Sequence, residues 1–422
     1  MWYYKNREFL CYLLIWSSCV LFAIISFTRQ SSKYFSLYKD DYNDFETGYF
    51  IRKQKDIADL EWQTMIFLLQ KIWIWICALL ILSEFLRKKK LFEVLKLSQI
   101  WTSLIFVLTH FGPITLVGII IQPFLFKIIR YITIRKSALW ICNIILIFLI
   151  SFYKYKISSE TFRIYYGYNE KEIYLHILAI YWTNLRSFSF FMEQDKNSYR
   201  VSNLDMYSYC FYLPVLFNGP FLFYTDFKNA HLETLSIKYR LFNLANNILR
   251  YLFWLIVIEL SLHFIYVNAT SFQVKLVESF DGWALYGYGY LMGQYFHMKY
   301  LVVYGLSTSV AKFENISVPS LPKCIGRIHL YSDMWKYFDN GLYKFLLRYI
   351  YVPVMKSSYM NKKILSSLLC FTFVYIWHGL DSYILIWAFL NFIGIVIENS
   401  SVSFYQTYLK NQKSSIILVI HS

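Results

Sequence analysis

Charge is scarce in this chain. Only 16% of its 422 residues are Asp, Glu, Lys or Arg, against about 25% in an ordinary soluble domain, which excludes the two or three soluble domains that length alone suggests. Cysteine is present but never in paired spacing. Cys11, Cys19, Cys77, Cys142, Cys210, Cys324 and Cys370 are scattered, most of them inside apolar runs, so neither a disulfide framework nor a zinc pattern follows. A removable leader also lacks its signature. Lys5 and Arg7 precede an apolar run from Phe9 to Phe27, but no small-x-small cleavage site stands before Thr28, and the expectation is a retained first helix. No internal repeat or low-complexity tract is present.

What fills the chain is apolar: 57% of residues are hydrophobic. Runs long enough to cross a hydrocarbon layer of about 30 Å, which takes about 20 helical residues, recur throughout, and the bilayer is the expected solvent. Spans are expected at Phe9–Phe27, Thr64–Leu86, Leu97–Ile121, Ala138–Phe152, Tyr207–Tyr224, Ile248–Val267, Leu285–Val310, Ile364–Trp377 and Ile384–Ile397. The fold class is therefore all-α, a polytopic transmembrane chain with re-entrant segments. Aromatic residues, 21% of the total, gather near the ends of apolar runs, where amphipathic rings suit the headgroup level. The net charge of +16 points to anionic lipid heads or an anionic cofactor rather than nucleic acid, because the basic residues flank membrane segments. The loop from Thr28 to Trp62 is rich in Asp and Glu, and the second helix ends on Arg87-Lys88-Lys89-Lys90. Basic clusters stay in the cytosol, so the N-terminus is expected there and the first loop in the lumen.

Three interruptions carry more than topology. Ile173–Trp182 is too short to cross and is expected to dip in and return. Asn218-Gly219-Pro220 interrupts the run from Tyr207 to Tyr224. Proline removes an amide donor and clashes with the preceding turn, and backbone freed at membrane depth survives only inside protein or against a water-filled cavity; a helix kink and a broken, cavity-lining segment both remain open. Between Phe313 and Ile364 lies the most basic stretch, with Trp335, Phe338, Leu342, Phe345, Leu346 and Tyr349 at helical spacing, an amphipathic helix at the interface.

The ionisable residue that stands out is His378, at the end of the apolar run from Leu365. An ionisable group at membrane depth is a functional candidate; a histidine satisfied by a neighbouring helix, or one at a helix end capped by Gly379, is the other reading. His110, His263 and His297 lack an accompanying pattern, and Glu259 reads equally as a helix tether. Asp339 lies one turn after Trp335 and needs a partner. Two antiparallel helices, Asp333–Tyr351 and Ile364–Trp377, would bring it near His378 and pair a proton carrier with an orienting carboxylate.

The stretch from Cys324 to Pro353, followed by Phe373-Val374-Tyr375-Ile376-Trp377-His378-Gly379 and by Leu390-Asn391-Phe392-Ile393-Gly394-Ile395-Val396-Ile397-Glu398-Asn399, resembles the core of the membrane-bound O-acyltransferase family, within it the hedgehog-acyltransferase branch. Asp59-Leu60-Glu61-Trp62, Leu185-Arg186-Ser187-Phe188-Ser189, Asn218-Gly219-Pro220 and the run Gly293–Tyr300 agree with that likeness. The resemblance implies one acyltransferase domain over residues 1–422 with its core motifs in 313–400, His378 as catalytic residue and Asp339 as the second. Trp335 and Asn218 are candidates for the substrate and acyl channel. It implies palmitoyl-CoA as donor and, as acceptor, the N-terminal cysteine amine of a secreted signalling protein, at a multi-pass site in the endoplasmic reticulum membrane. Lys344 and Arg348 are candidates for the CoA phosphates, and Cys324 for a haem iron ligand. O-acylation of a protein serine or a lipid, and a non-catalytic scaffold, are the alternatives; the retained His378 favours an enzyme. The family continues through further helices after Glu398-Asn399, so the last helices are expected to be missing, Ser415 to His421 turning apolar again.

Overall fold

The computed structural model describes residues 2–38, 43–48, 51–157, 167–194, 202–230, 235–357 and 362–405, and Ser415 to His421 lies outside them. Its principal helices are α1 (Trp2–Tyr38), α2 (Leu60–Lys88), α3 (Phe92–Ile132), α4 (Lys136–Ile157), α5 (Glu170–Glu193), α6 (Ile237–Ser261), α7 (Gly282–Phe313), α8 (Tyr331–Phe338), α9 (Asn340–Leu346), α10 (Lys362–Trp377) and α11 (Ser382–Phe404). A short hairpin in the first loop, β1 (Phe45–Thr47) against β2 (Gln54–Asp56), pairs Phe45 with Asp56. The all-α expectation holds. Among the described residues, six helices are long and apolar enough to cross a membrane: Arg7–Leu37, Leu60–Lys88, Phe92–Ile132, Lys136–Ile157, Ile237–Ser261 and Ser382–Phe404.

Three expected elements differ. Ile173–Trp182 is the middle of α5, a 24-residue helix buried on almost every side from Ile173 to Met192. Its Asn184, Arg186, Ser187 and Ser189 lower the hydropathy that a sequence scan reads, yet all four are buried. The run from Tyr207 to Tyr224 is no span; it divides into a helix at Asn203–Cys210, a 3-10 turn at Leu213–Val215, a further turn over 216–218 and irregular chain to Phe223. The expected helix Asp333–Tyr351 is cut at Asp339, and its last part, Leu347–Tyr351, is a π turn. Such turns interrupt the regular ladder and recur at functional sites.

Two compact units divide the chain inside α2. The first holds residues 1–78, 234–315 and 324–326. In it α7 packs against α1 and α6, around Phe27, Trp62, Ile258, Leu262, Ala284 and Tyr288. The second unit holds residues 79–233, 316–323 and 327–422, with α5 at its centre. On one side Thr115 of α3 meets His176 (2.7 Å); on another Ser151 of α4 meets Tyr181 (2.9 Å); on a third Ser189 meets Tyr349 of the π turn (2.8 Å). His176, Tyr181 and Ser189 are tolerated on an enclosed helix because each finds a partner there. Helix α3 is itself broken at Gly112 (φ 74°, ψ 177°), before Pro113.

Candidate active site

The Leu185–Ser189 motif ties α5 to the broken segment. Arg186, fully buried, donates to the carbonyls of Cys210 (3.2 Å) and Val215, and Ser187 lies against the Cys210 thiol. These bonds hold α5 to the broken segment, whose Val215 carbonyl also accepts from the Gly219 amide (3.3 Å). Beyond them Gly219 has φ +73°, and a Cβ there would stand 2.7 Å from the indole of Trp182. Asn218, half-buried, precedes it.

Asp339 sits at the break between α8 and α9, with φ −117° and ψ 85°. Its carboxylate accepts from the Leu342 amide at 2.9 Å, an N-cap that supplies an otherwise unpartnered helix donor. Two residues on, Gly341 lies so close to the broken segment that a Cβ would be 2.7 Å from the Phe221 carbonyl oxygen and 2.9 Å from its nitrogen. The chain breaks at Asp339 so that α9 can rest on the backbone after Pro220.

The motif Leu390–Asn399 explains how α8 is held. Asn391 accepts from the Trp335 indole N–H (3.3 Å), Gly394 packs under the Tyr331 ring, and Glu398 accepts from the Ser332 amide (3.1 Å) and its hydroxyl. Positions i, i+3 and i+7 share one helix face, and this face of α11 carries α8.

His378 follows the last turn of α10, where Gly379 (φ +108°) and Leu380 (φ +67°) end the helix, with Gly379 N–H on Ile376 O (3.2 Å). The helix-end position is thus the observed one, and the imidazole is exposed between Trp377 (5.1 Å between ring centroids) and Trp387 (6.3 Å). From here a closed circuit of contacts runs through the second unit. Trp387 meets Trp335 at 5.3 Å; α8 leads from Trp335 to Asp339 and on to Gly341; Gly341 lies on Phe221; Gly219 lies on Trp182; and Trp182 meets Trp377 at 5.5 Å. Four of the seven expected site residues, His378, Asp339, Trp335 and Asn218, belong to this circuit or adjoin it. Asp339 and His378 are joined through the indoles of Trp335 and Trp387, because α8 packs on α11 and it is the π turn that packs on α10.

Lys344 and Arg348 are exposed on the next turns. Arg348 pairs with the buried Glu193 (2.9 Å), which also accepts from the Tyr349 hydroxyl (2.7 Å), and its guanidinium lies over Phe223. Arg348 is therefore engaged with acid and ring. Cys324 belongs to the first unit. Its thiol faces the Gln294 amide (3.7 Å), with Tyr290 and Gln294 pressed on Gly326. Cys324 is half-exposed in that turn, and the haem expectation finds no support.

Also in the first unit, Asp59, Glu61 and Trp62 meet the run Gly293–Tyr300. Lys299 pairs with Asp59 (2.8 Å) and Glu61 (2.6 Å), Tyr300 donates to Glu61 (2.8 Å), and the Trp62 indole donates to Glu259 (2.7 Å), itself paired with Lys55 (2.7 Å). Glu259 is the tether of the two readings. Sequence reasoning passed over Trp182 and Trp387, which close the circuit, and Lys154, which pairs with Asp381 (3.3 Å) beside the His378 turn. Nothing in spacing marks them, since each meets its partner only across the fold.

A profile of the MBOAT, membrane-bound O-acyltransferase family, matches residues 124–419. Among curated proteins, Protein-cysteine N-palmitoyltransferase Rasp of Drosophila melanogaster is 36% identical over 239 residues, 55% of this chain and 47% of that protein. Protein-cysteine N-palmitoyltransferase HHAT of Mus musculus is 34% identical over 195 residues, 46% of this chain and 39% of its own length. Membrane-bound O-acyltransferase GUP1 of Candida tropicalis is 26% identical over 208 residues, 49% and 35% of the two chains. The chain spans about half the length of Rasp and less of the other two. A match over most of its length makes this chain a member of the membrane-bound O-acyltransferase family.

Proposed function

We propose that the chain transfers palmitate from palmitoyl-CoA to the N-terminal cysteine amine of a secreted signalling protein, as a multi-pass protein of the endoplasmic reticulum membrane with a cytosolic N-terminus. The observation that carries this is the circuit, which holds an exposed imidazole and a helix-capping carboxylate in one frame, together with the likeness to two protein-cysteine N-palmitoyltransferases. The acceptor α-amine has an ordinary pKa of about 7.7–8.0 and attacks as the neutral base. Its nitrogen bonds to the thioester carbonyl carbon, the C–S bond breaks, and CoA leaves as thiolate. His378 takes the amine proton and passes it to the leaving sulfur. Asp339, held at the N-terminus of α9, where a negative charge is favoured, orients the amine or the imidazole. Lys344 is a candidate contact for the CoA phosphates.

The GUP1 likeness keeps a second reading, transfer to a hydroxyl. Labelled palmitoyl-CoA offered with peptides beginning in free or N-acetylated cysteine separates the two. Label that resists neutral hydroxylamine on the free-amine peptide alone is the expected result, and His378→Ala should abolish it while the protein still accumulates. Label on a serine-bearing control alone would transfer the assignment to the O-acyl reading.

A further inference from the structure

Helix α3 doubles back on itself. Lys96 stands sixteen residues before Gly112 and Lys127 fifteen after it, so in a straight helix, at about 1.5 Å per residue, the two would lie about 46 Å apart. Instead both reach the first turn of the helix at Asn203–Cys210. Lys96 pairs with Asp205 (2.8 Å), and Lys127 donates to the Asn203 amide oxygen (2.6 Å). The two arms, 92–111 and 113–132, therefore return to one level. Tyr168 closes the bend: its hydroxyl donates to the Phe111 carbonyl (2.8 Å) and lies 2.6 Å from where a Cβ on Gly112 would stand. Each arm has 20 residues, about the length that crosses a hydrocarbon layer.

The bend decides where charge goes. One straight span would send the basic turn after α2 and the basic turn before α4 to opposite faces of the membrane, whereas the hairpin brings them to the same face. Lys88, Lys89 and Lys90 lead into the first arm, and Arg135 and Lys136 follow the second. All five are exposed, and among the described residues none of them pairs with a carboxylate. Apolar side chains stand between these cations: Leu91 is 47% exposed, Tyr131 87%, Ile132 75% and Ile134 40%. Leu91 also heads an exposed line that continues through Val94, Leu97 and Trp101, three to four residues apart and so on one helix face.

That combination selects the partner. Cations alone would suit any polyanion, but a nucleic acid or a soluble nucleotide gains nothing from Tyr131 and Ile132. A bilayer takes apolar tips at the boundary of its acyl chains and offers phosphate to the cations just above. We propose that the two turns form one docking surface for anionic phospholipid headgroups of the cytosolic leaflet, whose negative potential attracts basic residues next to a membrane span. Phe126 of α3 and Trp140 of α4 both meet Phe188 of α5 (ring centroids 6.2 and 4.6 Å), so headgroups held there fix the depth of the helices around α5. The inference rests on the cytosolic orientation proposed above and adds a lipid partner to it.

The test uses the full chain in phosphatidylcholine nanodiscs carrying a trace of spin-labelled phosphatidylserine or spin-labelled phosphatidylcholine. The parent should hold the serine lipid about fivefold more strongly, which is what one basic side chain near an anionic surface supplies, and 1 M salt, with a screening length of about 3 Å, should reduce that preference. Lys88→Gln, Lys89→Gln and Lys90→Gln together should lower it, as should Arg135→Gln with Lys136→Gln, and all five should abolish it with the melting temperature unchanged. No preference in the parent, or a full preference in the fivefold variant, would overturn the proposal. So would weaker palmitoyl-CoA binding in that variant with lipid preference intact, which would give the cations to the donor. Sidedness is read separately with Lys89→Cys and Arg135→Cys in sealed microsomes and a membrane-impermeant maleimide, both being expected to react. Reaction at Lys89→Cys alone would put the turns on opposite faces and end the shared surface; protection of both would overturn the cytosolic orientation, and the leaflet assignment with it.

Discussion

Gly341 offers the sharpest test of how the circuit is held. Adding a Cβ in Gly341→Ala places a carbon 2.7 Å from the Phe221 carbonyl oxygen, 2.9 Å from its nitrogen and 3.3 Å from its Cα. Non-bonded carbon contacts are comfortable near 3.5–4.0 Å, so the two backbones must part by about 0.5–1 Å, and neither is a flexible side-chain end that can swing aside. Overpacking of this kind costs about 1–3 kcal/mol, while alanine in a helix returns up to about 1 kcal/mol over glycine. The net loss of stability is therefore small, about 0–2 kcal/mol. The loss of activity is not, because the displaced residues adjoin Asp339, and a misplacement of about 1 Å at a catalytic group can cost about a hundredfold. Single-turnover transfer to an N-terminal-cysteine peptide, read beside a thermal melt in detergent, should show activity down tenfold or more with a melting temperature close to the parent's. Gly282→Ala, whose Cβ meets nothing within 4 Å, is the control and should be neutral or slightly stabilising. Full turnover in Gly341→Ala would refute the claim that contact with Phe221 sets the position of Asp339.

Asp339→Asn keeps a side chain able to cap α9 and removes the charge, so turnover should fall at least tenfold with donor affinity and melting temperature retained; loss of donor binding with acceptor binding intact would show the two substrates exchanged. Lys299→Met strands Asp59 and Glu61 beside each other in a largely buried setting, and a loss of about 3 kcal/mol is expected on the scale of broken buried pairs, with part of it recovered when Glu61→Gln is added; a melt unchanged by Lys299→Met would remove the pair from the list of what holds the first unit. Burial pushes the Asp56 carboxyl up from its ordinary value to about 7, so the folded chain holds a proton that the unfolded chain has released. The stability this brings is present in full below about pH 4 and is lost as pH rises toward 7 and just beyond. The parent should therefore melt lower at pH 8 than at pH 5, and Asp56→Asn should narrow that gap; an equal gap in both would assign the pH dependence elsewhere.

Much of this was legible in the sequence because hydropathy reports what faces lipid. The helices it located, α1 to α4, α6, α7, α10 and α11, leave apolar side chains exposed, such as Ile141, Ile145, Phe148 and Phe152 on one side of α4, though α6, expected at Ile248–Val267, runs Ile237–Ser261. It failed on α5 for the same reason. A helix enclosed by protein can carry Asn184, Arg186, Ser187 and Ser189, and a scan for apolar length then sees only Ile173–Trp182 in its first half. The break at Asp339 was hidden differently: Trp335, Phe338, Leu342 and Phe345 keep helical spacing across it, and only the carboxylate's bond to the Leu342 amide reveals that two helices share the pattern.

The motifs were legible as a set before any of them had a reason, and the contacts supply reasons of two kinds. Asn391, Gly394 and Glu398 act on α8, and Arg186 acts on carbonyls of the broken segment; none needs to touch a substrate, since each fixes an element that carries a site residue. His378 differs. Its side chain is exposed and flanked by two indoles, in a turn whose backbone is closed by Gly379 and Leu380. Substitutions at Asn391, Gly394, Glu398 or Arg186 should therefore lower the melting temperature together with activity, whereas His378→Ala should cost activity with the protein still accumulating.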